Sequence, residues 1–513
     1  MMESATEAKI SSQVKGHDYK MYINGEWTKS QSEESLKVIN PATEEVIAEV
    51  PKATREDVKR ALESAAKAQP KWEDLSPLQR GKYLQKIADL IKRDRERLAR
   101  ILTAEQGKPL YESRLEIDGS ATNFEYYAEF ARRIDGDVLP SDYPKQSIMI
   151  LKLPIGVVAS ITPWNFPSST VARKLAPALI TGNAVVTKPS SNTPLSTIEL
   201  VKLGEEAGLP KGVLNVVTGS GSEVGEELVT NRITGLITMT GSTGAGRKIM
   251  ESASGHVAKV LLELGGKAPL IVWNDADMEW ALKCAIWARF WNCGQTCICA
   301  ERMYLDEKIK DRFLSAFVNA ARALKIGDPT NPNTDLGPMV SKKERETSKD
   351  FVQTARDEGD KILLGGQEPK SMDKGWYYEP TIIDDVDQKS PLIQEEIFGP
   401  VVPVMGVDSF DKAIEYANDS QYGLSSYVFT KDSNRVMKAM YKIKFGESYI
   451  NQVGPEQFQG AHTGFRQTGI GAEGSKYGLE CYTQLKTCYV DWNENPSLPY
   501  LFPYSDKSRS GNA

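Results

Sequence analysis

The sequence is poor in the features that mark several whole classes of protein. It has 6 cysteines in 513 residues, too few for a disulfide framework in a chain this long. The first 25 residues, with Lys9, Lys15, His17, Asp18 and Lys20 scattered through them, contain neither a continuous apolar segment nor a small-residue cleavage site. Secretion is therefore not indicated, and a reducing cytoplasm is expected. Long hydrophobic runs are missing too. The most apolar stretches, such as Gly156 to Ile161 and Val260 to Leu264, fall well short of the roughly 20 residues needed to cross a bilayer, so no membrane partner is expected. Positive charge is not in excess: 63 Lys and Arg against 69 Asp and Glu give a formal net charge of −6, which offers no basic surface to nucleic acid. Histidine is scarce. With His17, His256 and His462 the complete set, and no second cysteine pair to complement Cys293, Cys297 and Cys299, no metal site is expected.

The chain has the ordinary globular balance of 40% hydrophobic and 26% charged residues, and its length calls for two or more domains. From Ser76-Pro77 to Leu102 apolar residues recur at helical spacing with Lys and Arg between them, which predicts one amphipathic helix with a capping Ser and a Pro in its first turn. After Leu151 the pattern becomes short apolar runs at Gly156–Thr162, Ala184–Thr187, Val213–Val217 and Leu236–Thr240, each separated by enough chain for a helix. That alternation predicts parallel βαβ units. Val260–Glu263 and Leu270–Trp273 continue the series, and a domain boundary is expected near residue 273. A second α/β block follows, with strands at Val401–Val404 and Ser425–Phe429. Met149–Leu153 and Cys488–Trp492 read as isolated strands that pair away from the main domains, and residues 495–513 read as a surface tail. There is no internal repeat.

Several segments can carry chemistry. Cys297 follows a Gly-Gln-Thr turn and precedes a strand-like run, a setting in which a thiol and its own backbone N–H can face one substrate atom; the alternative is an inert buried cysteine. Glu263 is a lone carboxylate closing an apolar strand. Burial there would raise its pKa and make it a general base near neutral pH, unless a Lys or backbone donors satisfy it. In Thr162-Pro-Trp-Asn-Phe-Pro167, at the carboxyl end of a strand, Asn165 can donate to an oxyanion or simply hold a turn. Lys188 ends the next strand, where it can reach a ribose or phosphate or remain solvated. Thr240-Gly241-Ser242 links a strand to a helix N-terminus, which suits a pyrophosphate. That turn lacks the usual G-x-G-x-x-G spacing, and the run Gly219 to Gly225 is equally weak evidence.

Taken together, Pro163-Trp-Asn-Phe-Pro167, Lys188-Pro-Ser190, Gly241-Ser-Thr243, Glu263-Leu-Gly-Gly-Lys267, Gly294-Gln-Thr-Cys297 and Glu395-Glu-Ile-Phe-Gly-Pro400 resemble the aldehyde dehydrogenase superfamily in order and spacing along roughly residues 20 to 492. The resemblance implies an α/β fold: a modified Rossmann nicotinamide-binding domain (20–145 and 159–273), a catalytic domain carrying the cysteine (274–480), and a small β element for oligomerisation (146–158 and 481–494). It implies that Cys297 is the nucleophile, that Asn165 and the Cys297 N–H hold the oxyanion, and that Glu263 activates the water that hydrolyses the thioester. The cofactor would be held by Ile161, Thr162, Pro163, Trp164, Lys188, Ser190, Ser191, Gly221, Gly225, Thr240, Gly241, Ser242, Leu264, Glu396 and Phe398. Ser191 stands where NAD-preferring relatives often carry a Glu, so NADP is expected over NAD. The run Gly454 to Arg466 looks like the branch acting on small hydroxyaldehydes, closest to the glyceraldehyde dehydrogenases, so that oxidation of glyceraldehyde to glycerate is expected, with lactaldehyde and glycolaldehyde as the alternatives; Arg173, Glu456 and His462 would contact the substrate hydroxyl. A semialdehyde or phosphorylated substrate would need cations, for which Arg173 and Arg466 are the candidates. A coenzyme-A-acylating enzyme lacks the base, and an inactive homologue would not need Cys297, Glu263 and Asn165. A homodimer or homotetramer is expected.

Overall fold

The computed structural model describes residues 18–494, 496, 501 and 502, so most of the expected tail at 495–513 lies outside the described residues. Two large sheets dominate. The strands Val157–Ile161 and Ala184–Lys188 are apolar on both faces because helices cover both sides. Along them, Val158 and Val185 point into one core with the helices Pro77–Arg93, Leu110–Ala128 and Ser169–Ile180, while Val157, Ala159 and Val186 point into another with the helix Arg55–Glu73.

Five parallel strands of this eight-stranded sheet run in the spatial order Leu214–Val216, Ala184–Lys188, Val157–Ile161, Thr234–Thr240, Lys259–Glu263. The chain winds outward in one direction from Val157–Ile161 and then returns to wind in the other, the doubly wound arrangement in which a crevice opens at the carboxyl ends of the two central strands. The antiparallel strands Met21–Ile23 and Glu26–Thr28 extend one edge, and Gly469–Ile470 extends the other. The last of these comes from far along the chain, within the stretch assigned above to the second block.

The second sheet has seven strands, in the order Lys361–Leu364, Thr381–Asp384, Val401–Val407, Ala300–Asp306, Ala268–Val272, Ser425–Phe429, Glu447–Ile450. Ala268–Val272 pairs in parallel with both Ala300–Asp306 and Ser425–Phe429. The crossover between sheets therefore falls between Glu263 and Ala268, one strand before the expected boundary at 273. A buried parallel strand has the same apolar pattern in either sheet, so periodicity cannot say which one it joins.

Gln146–Pro154 pairs antiparallel with Thr483–Asp491, and Asp137–Pro140 adds a third strand. Val157 and Val158, placed in this element by the sequence, belong to the first sheet instead. The expected helix over Ser76–Leu102 is two helices, Pro77–Arg93 and Arg95–Gln106. Ser76 caps the first with Pro77 in its opening turn, as read from sequence. Asp94 (φ −96°, ψ 9°) breaks the run, its carboxylate accepting from Arg93 and Arg97. Among the described residues no helix is long and apolar enough to cross a membrane.

Candidate active site

A cavity of about 660 Å³ lies beside the carboxyl ends of Val157–Ile161, Thr234–Thr240 and Lys259–Glu263. It is lined by Asn165, Glu263 and Cys297 together with Arg173, Glu456 and His462, and it continues past Pro163, Trp164, Thr240, Gly241, Ser242, Leu264, Glu396 and Phe398. Residues spread over three hundred positions thus share one wall.

Cys297 reaches the cavity through a distorted turn. The helix Met278–Phe290 ends, Asn292 (φ 50°) and Cys293 (φ 56°) adopt left-handed backbone, and the chain then enters the strand Ala300–Asp306. Gly266 allows the turn to sit close: a Cβ there would come within 2.3 Å of the Cys297 carbonyl oxygen. Burial, with Glu263 adding to it, pushes the Cys297 thiol well above its ordinary value, while His462 opposes the shift.

Glu263 ends its strand buried, with Oε1 3.3 Å from His462 Nε2. The neighbour that satisfies it is thus an imidazole, where the sequence left a Lys or backbone donors open. His462 Nδ1 donates to Glu447 Oε1 at 2.8 Å. Burial pushes the imidazole down, but Glu447 and Glu456 outweigh it and hold His462 well above its usual value. Asn165 is clamped: its side-chain nitrogen donates to Gln295 O at 3.1 Å, and its carbonyl accepts from Lys108 Nζ at 2.7 Å. An amide nitrogen has two N–H bonds, which leaves a second donor.

Arg173, on the helix Ser169–Ile180, pairs with Glu456 and lies 3.8 Å from Glu473 Oε2. Burial raises the Glu456 carboxyl, but Arg173, His462 and a backbone hydrogen bond together bring its pKa below the usual range. Arg466 does not enter the cavity. It donates to the carbonyls of Asn418 at 2.7 Å and Lys444 at 2.8 Å, holding a surface loop.

The cavity's other end fits a dinucleotide. Ser242 caps the helix Thr243–Ala253, so free backbone N–H groups face outward beside Gly241. The buried hydroxyl oxygens of Thr162 and Thr240 have no partner among the described residues. Glu396 Oε1 accepts from Gly266 N at 2.7 Å; burial, with Glu301 adding to it, pushes its carboxyl up to about 8. Phe398 (φ 56°) stands edge-on to Trp164 at 5.3 Å.

Ile161, Thr162, Lys188, Ser190, Ser191, Gly221 and Gly225 fall outside the cavity lining, further along the same sheet edge. Thr162 N donates to the Lys188 carbonyl at 3.1 Å, and burial lowers the Lys188 ammonium to about 8. Ser190 Oγ accepts from Asn192 N at 3.3 Å, and Ser191 donates to Gly219 O at 3.2 Å. Gly221–Gly225 is a single helical turn capped by Ser220.

Sequence reasoning missed the supporting carboxylates. Glu447 orients His462. Glu301 accepts from Ile397 N at 2.7 Å, Phe398 N at 2.8 Å and Lys267 Nζ at 2.9 Å, fixing the segment that carries Glu396. Glu473 pairs with Lys174 and neighbours Arg173. Each is a charged residue buried in or beside a strand, which was the one available signal.

Comparison with known proteins matches the family model described as "Aldehyde dehydrogenase family" to residues 27–488. The chain is 50% identical over 477 residues to D-glyceraldehyde dehydrogenase (NADP(+)) of Picrophilus torridus, covering 92% of this chain and 96% of that protein. It is 42% identical over 471 residues to lactaldehyde dehydrogenase of Escherichia coli, covering 92% and 98%. Among solved structures, 3,6-anhydro-L-galactose dehydrogenase in complex with NAP superposes with a TM-score of 0.91 at 43% identity, covering 92% of this chain and all of that one.

Proposed function

The chain belongs to the aldehyde dehydrogenase family, and on that premise we propose that it oxidises a small hydroxyaldehyde, glyceraldehyde foremost, to its acid through a thioester on Cys297, with NADP preferred to NAD. Cys297 attacks the aldehyde carbon, its proton passing to the neighbouring His462–Glu263 pair. The oxyanion lies between the free Asn165 N–H and the Cys297 backbone N–H. A nicotinamide bound here would supply the acceptor for the hydride that the tetrahedral carbon releases. Ser242, Thr240, Gly241, Glu396 and Phe398 would hold that half of the cofactor, with Pro163, Trp164 and Leu264 beside them. Ile161, Lys188, Ser190, Ser191, Gly221 and Gly225 would hold the adenosine half. Glu263 then takes a proton from water as it attacks the thioester, which favours release of a free acid over transfer to coenzyme A.

One observation carries the choice of substrate: the polar wall facing Cys297 is made of Arg173, Glu456 and His462, and its cation is already paired. Among the described residues lining the cavity, Arg173 has Glu456 and Glu473 beside it and His462 has Glu263 and Glu447, while Arg466 is engaged elsewhere, so no cation there is left unpaired for a carboxylate or phosphate. A neutral hydroxyl can bond to such a wall. The relatives named as D-glyceraldehyde and lactaldehyde dehydrogenases support the same reading. An aldehyde without the hydroxyl leaves buried polar groups unpaired, at about 1–3 kcal/mol each. Glyceraldehyde and glycolaldehyde should exceed propionaldehyde in kcat/KM by about tenfold or more, the factor that about 1.4 kcal/mol represents. Because His462 also touches Glu263, Glu456→Gln is the cleaner variant. In it the ratio should fall toward unity; a ratio that stays at its parental value rules out Glu456 as a reader of the hydroxyl.

Cofactor choice rests on Ser191. A carboxylate there would repel a 2′-phosphate by about 4 kcal/mol per charge pair at about 4 Å and an effective dielectric of about 20. Ser191→Glu should therefore move the preference from NADP toward NAD, measured as the ratio of kcat/KM values. A parent enzyme already more efficient with NAD would refute the reading.

The first sheet and its helices serve as the nicotinamide domain and the second sheet as the catalytic domain. The three-stranded sheet exposes Val138, Leu485 and Tyr489, which supports its use in joining subunits of a homodimer or homotetramer. All six cysteines are free, which suits a reducing cytoplasm.

A further inference from the structure

Cys297, Glu263 and His462 do separate work in the reaction, yet they also form a compact set of unlike ligands. One sulfur, one carboxylate oxygen and one ring nitrogen lie within 4.8 Å of one another, and His462 Nε2 is 3.3 Å from Glu263 Oε1. Around a tetrahedral zinc ion, with metal–ligand bonds of about 2.0–2.3 Å, ligand atoms stand roughly 3.3–3.7 Å apart. The His–Glu pair is already at that spacing, and the thiol needs to move by no more than about 1 Å.

A second, independent feature points the same way. His462 is almost fully buried (3% exposed), and its Nδ1 donates to Glu447 Oε1 at 2.8 Å. A carboxylate on the far nitrogen of a histidine fixes the ring and aims the near nitrogen, which is the usual support for a metal-ligating imidazole. All three side chains line the cavity, which supplies a path in. Sulfur, nitrogen and oxygen together suit a borderline-soft divalent ion. Magnesium and calcium, which take oxygen ligands, do not fit.

We propose that Cys297, Glu263 and His462 form an inhibitory zinc site, oriented by Glu447, that binds Zn²⁺ reversibly in competition with the aldehyde. The Cys297 S–H bond breaks as the S–Zn bond forms. The thiol proton, with any proton on His462 Nε2, leaves to solvent, and no electrons are transferred. One ion thereby takes the nucleophile, the base and a substrate contact out of use together. It also shields the thiol from oxidation. The site stands on geometry alone and holds whichever aldehyde is the substrate.

Cobalt(II) serves as the test ion because thiolate ligation gives it a near-ultraviolet charge-transfer band, readable without turnover. The reduced, full-length protein should bind one equivalent with that band, and Zn²⁺ should displace it. Cys297→Ala should abolish the band, with retained dinucleotide binding showing that the variant is folded. Glu447→Gln should weaken the affinity for metal about 10–100-fold. The double variant Cys293→Ala/Cys299→Ala should keep the band, since those thiols are outside the set. In zinc-buffered assays of the parent, inhibition should be relieved by raising the aldehyde concentration or adding a chelator. A band that survives Cys297→Ala, a Glu447→Gln affinity equal to the parent's, or no band at millimolar cobalt would each overturn the proposal.

Discussion

Replacing Cys297 with Ala should remove oxidation of every aldehyde, by roughly 10⁴-fold or more, the scale on which loss of a covalent nucleophile acts, while the dinucleotide still binds. The two halves of this expectation rest on different parts of the cavity. Activity depends on the sulfur, which alone in this wall can form a carbon–sulfur bond beside Glu263, His462 and the Asn165 amide. Binding depends on the Ser242 helix terminus, on Glu396 with its Gly266 hydrogen bond and on Phe398 against Trp164. None of these contacts runs through Sγ. The side chain is also only partly enclosed, so deleting one sulfur should leave the fold intact. Absorbance at the reduced-nicotinamide band measures the first half, and quenching of tryptophan fluorescence by added NADP measures the second, with Trp164 lining the cavity. More than a trace of turnover would remove Cys297 from the mechanism.

What the sequence made legible follows from how local each signal is. Glu263 and Asn165 sit in short motifs at or just past strand ends, where chain direction alone places them at the carboxyl edge of a parallel sheet, and Cys297 sits in an equally short motif on the turn before a strand. The five parallel strands of the eight-stranded first sheet were readable because each is an apolar run with turn residues at both ends. Long-range choices were not readable. Nothing local tells Ala268–Val272 to join the second sheet, or brings Gly469–Ile470 back to the edge of the first. The break at Asp94 was hidden because helical periodicity continues across it.

The site shows the same divide. Arg466 has the charge to hold an acid, but its guanidinium is spent on two backbone carbonyls. His462 was expected to face the substrate. Its bonds to Glu263, 199 positions away, and to Glu447 exist only in the folded chain, and they tie the proposed substrate contact to the proposed base.

That tie shapes what Glu263→Gln should do. Gln keeps the side chain's size and an oxygen that can still accept from His462 Nε2, so the strand end and the imidazole should stay in place. What it loses is basicity. The first half of the reaction needs only the thiolate, the oxyanion donors and a bound dinucleotide, and His462, which lowers the pKa of the Cys297 thiol, still favours the thiolate as its proton leaves to solvent. The second half needs a group that takes a proton from water, and loss of a general base costs typically 10²–10⁴-fold. A rapid-mixing experiment should therefore show one equivalent of reduced nicotinamide per active site, formed in a burst, followed by a steady-state rate lower by about that factor. Intact-protein mass measured just after the burst should show the acyl group on Cys297. In the parent, with the base intact, less of this mass should accumulate. A mutant with no burst would mean that Glu263 is also required to deprotonate the thiol. A mutant with a normal steady-state rate would mean that a group other than Glu263 takes the proton from water.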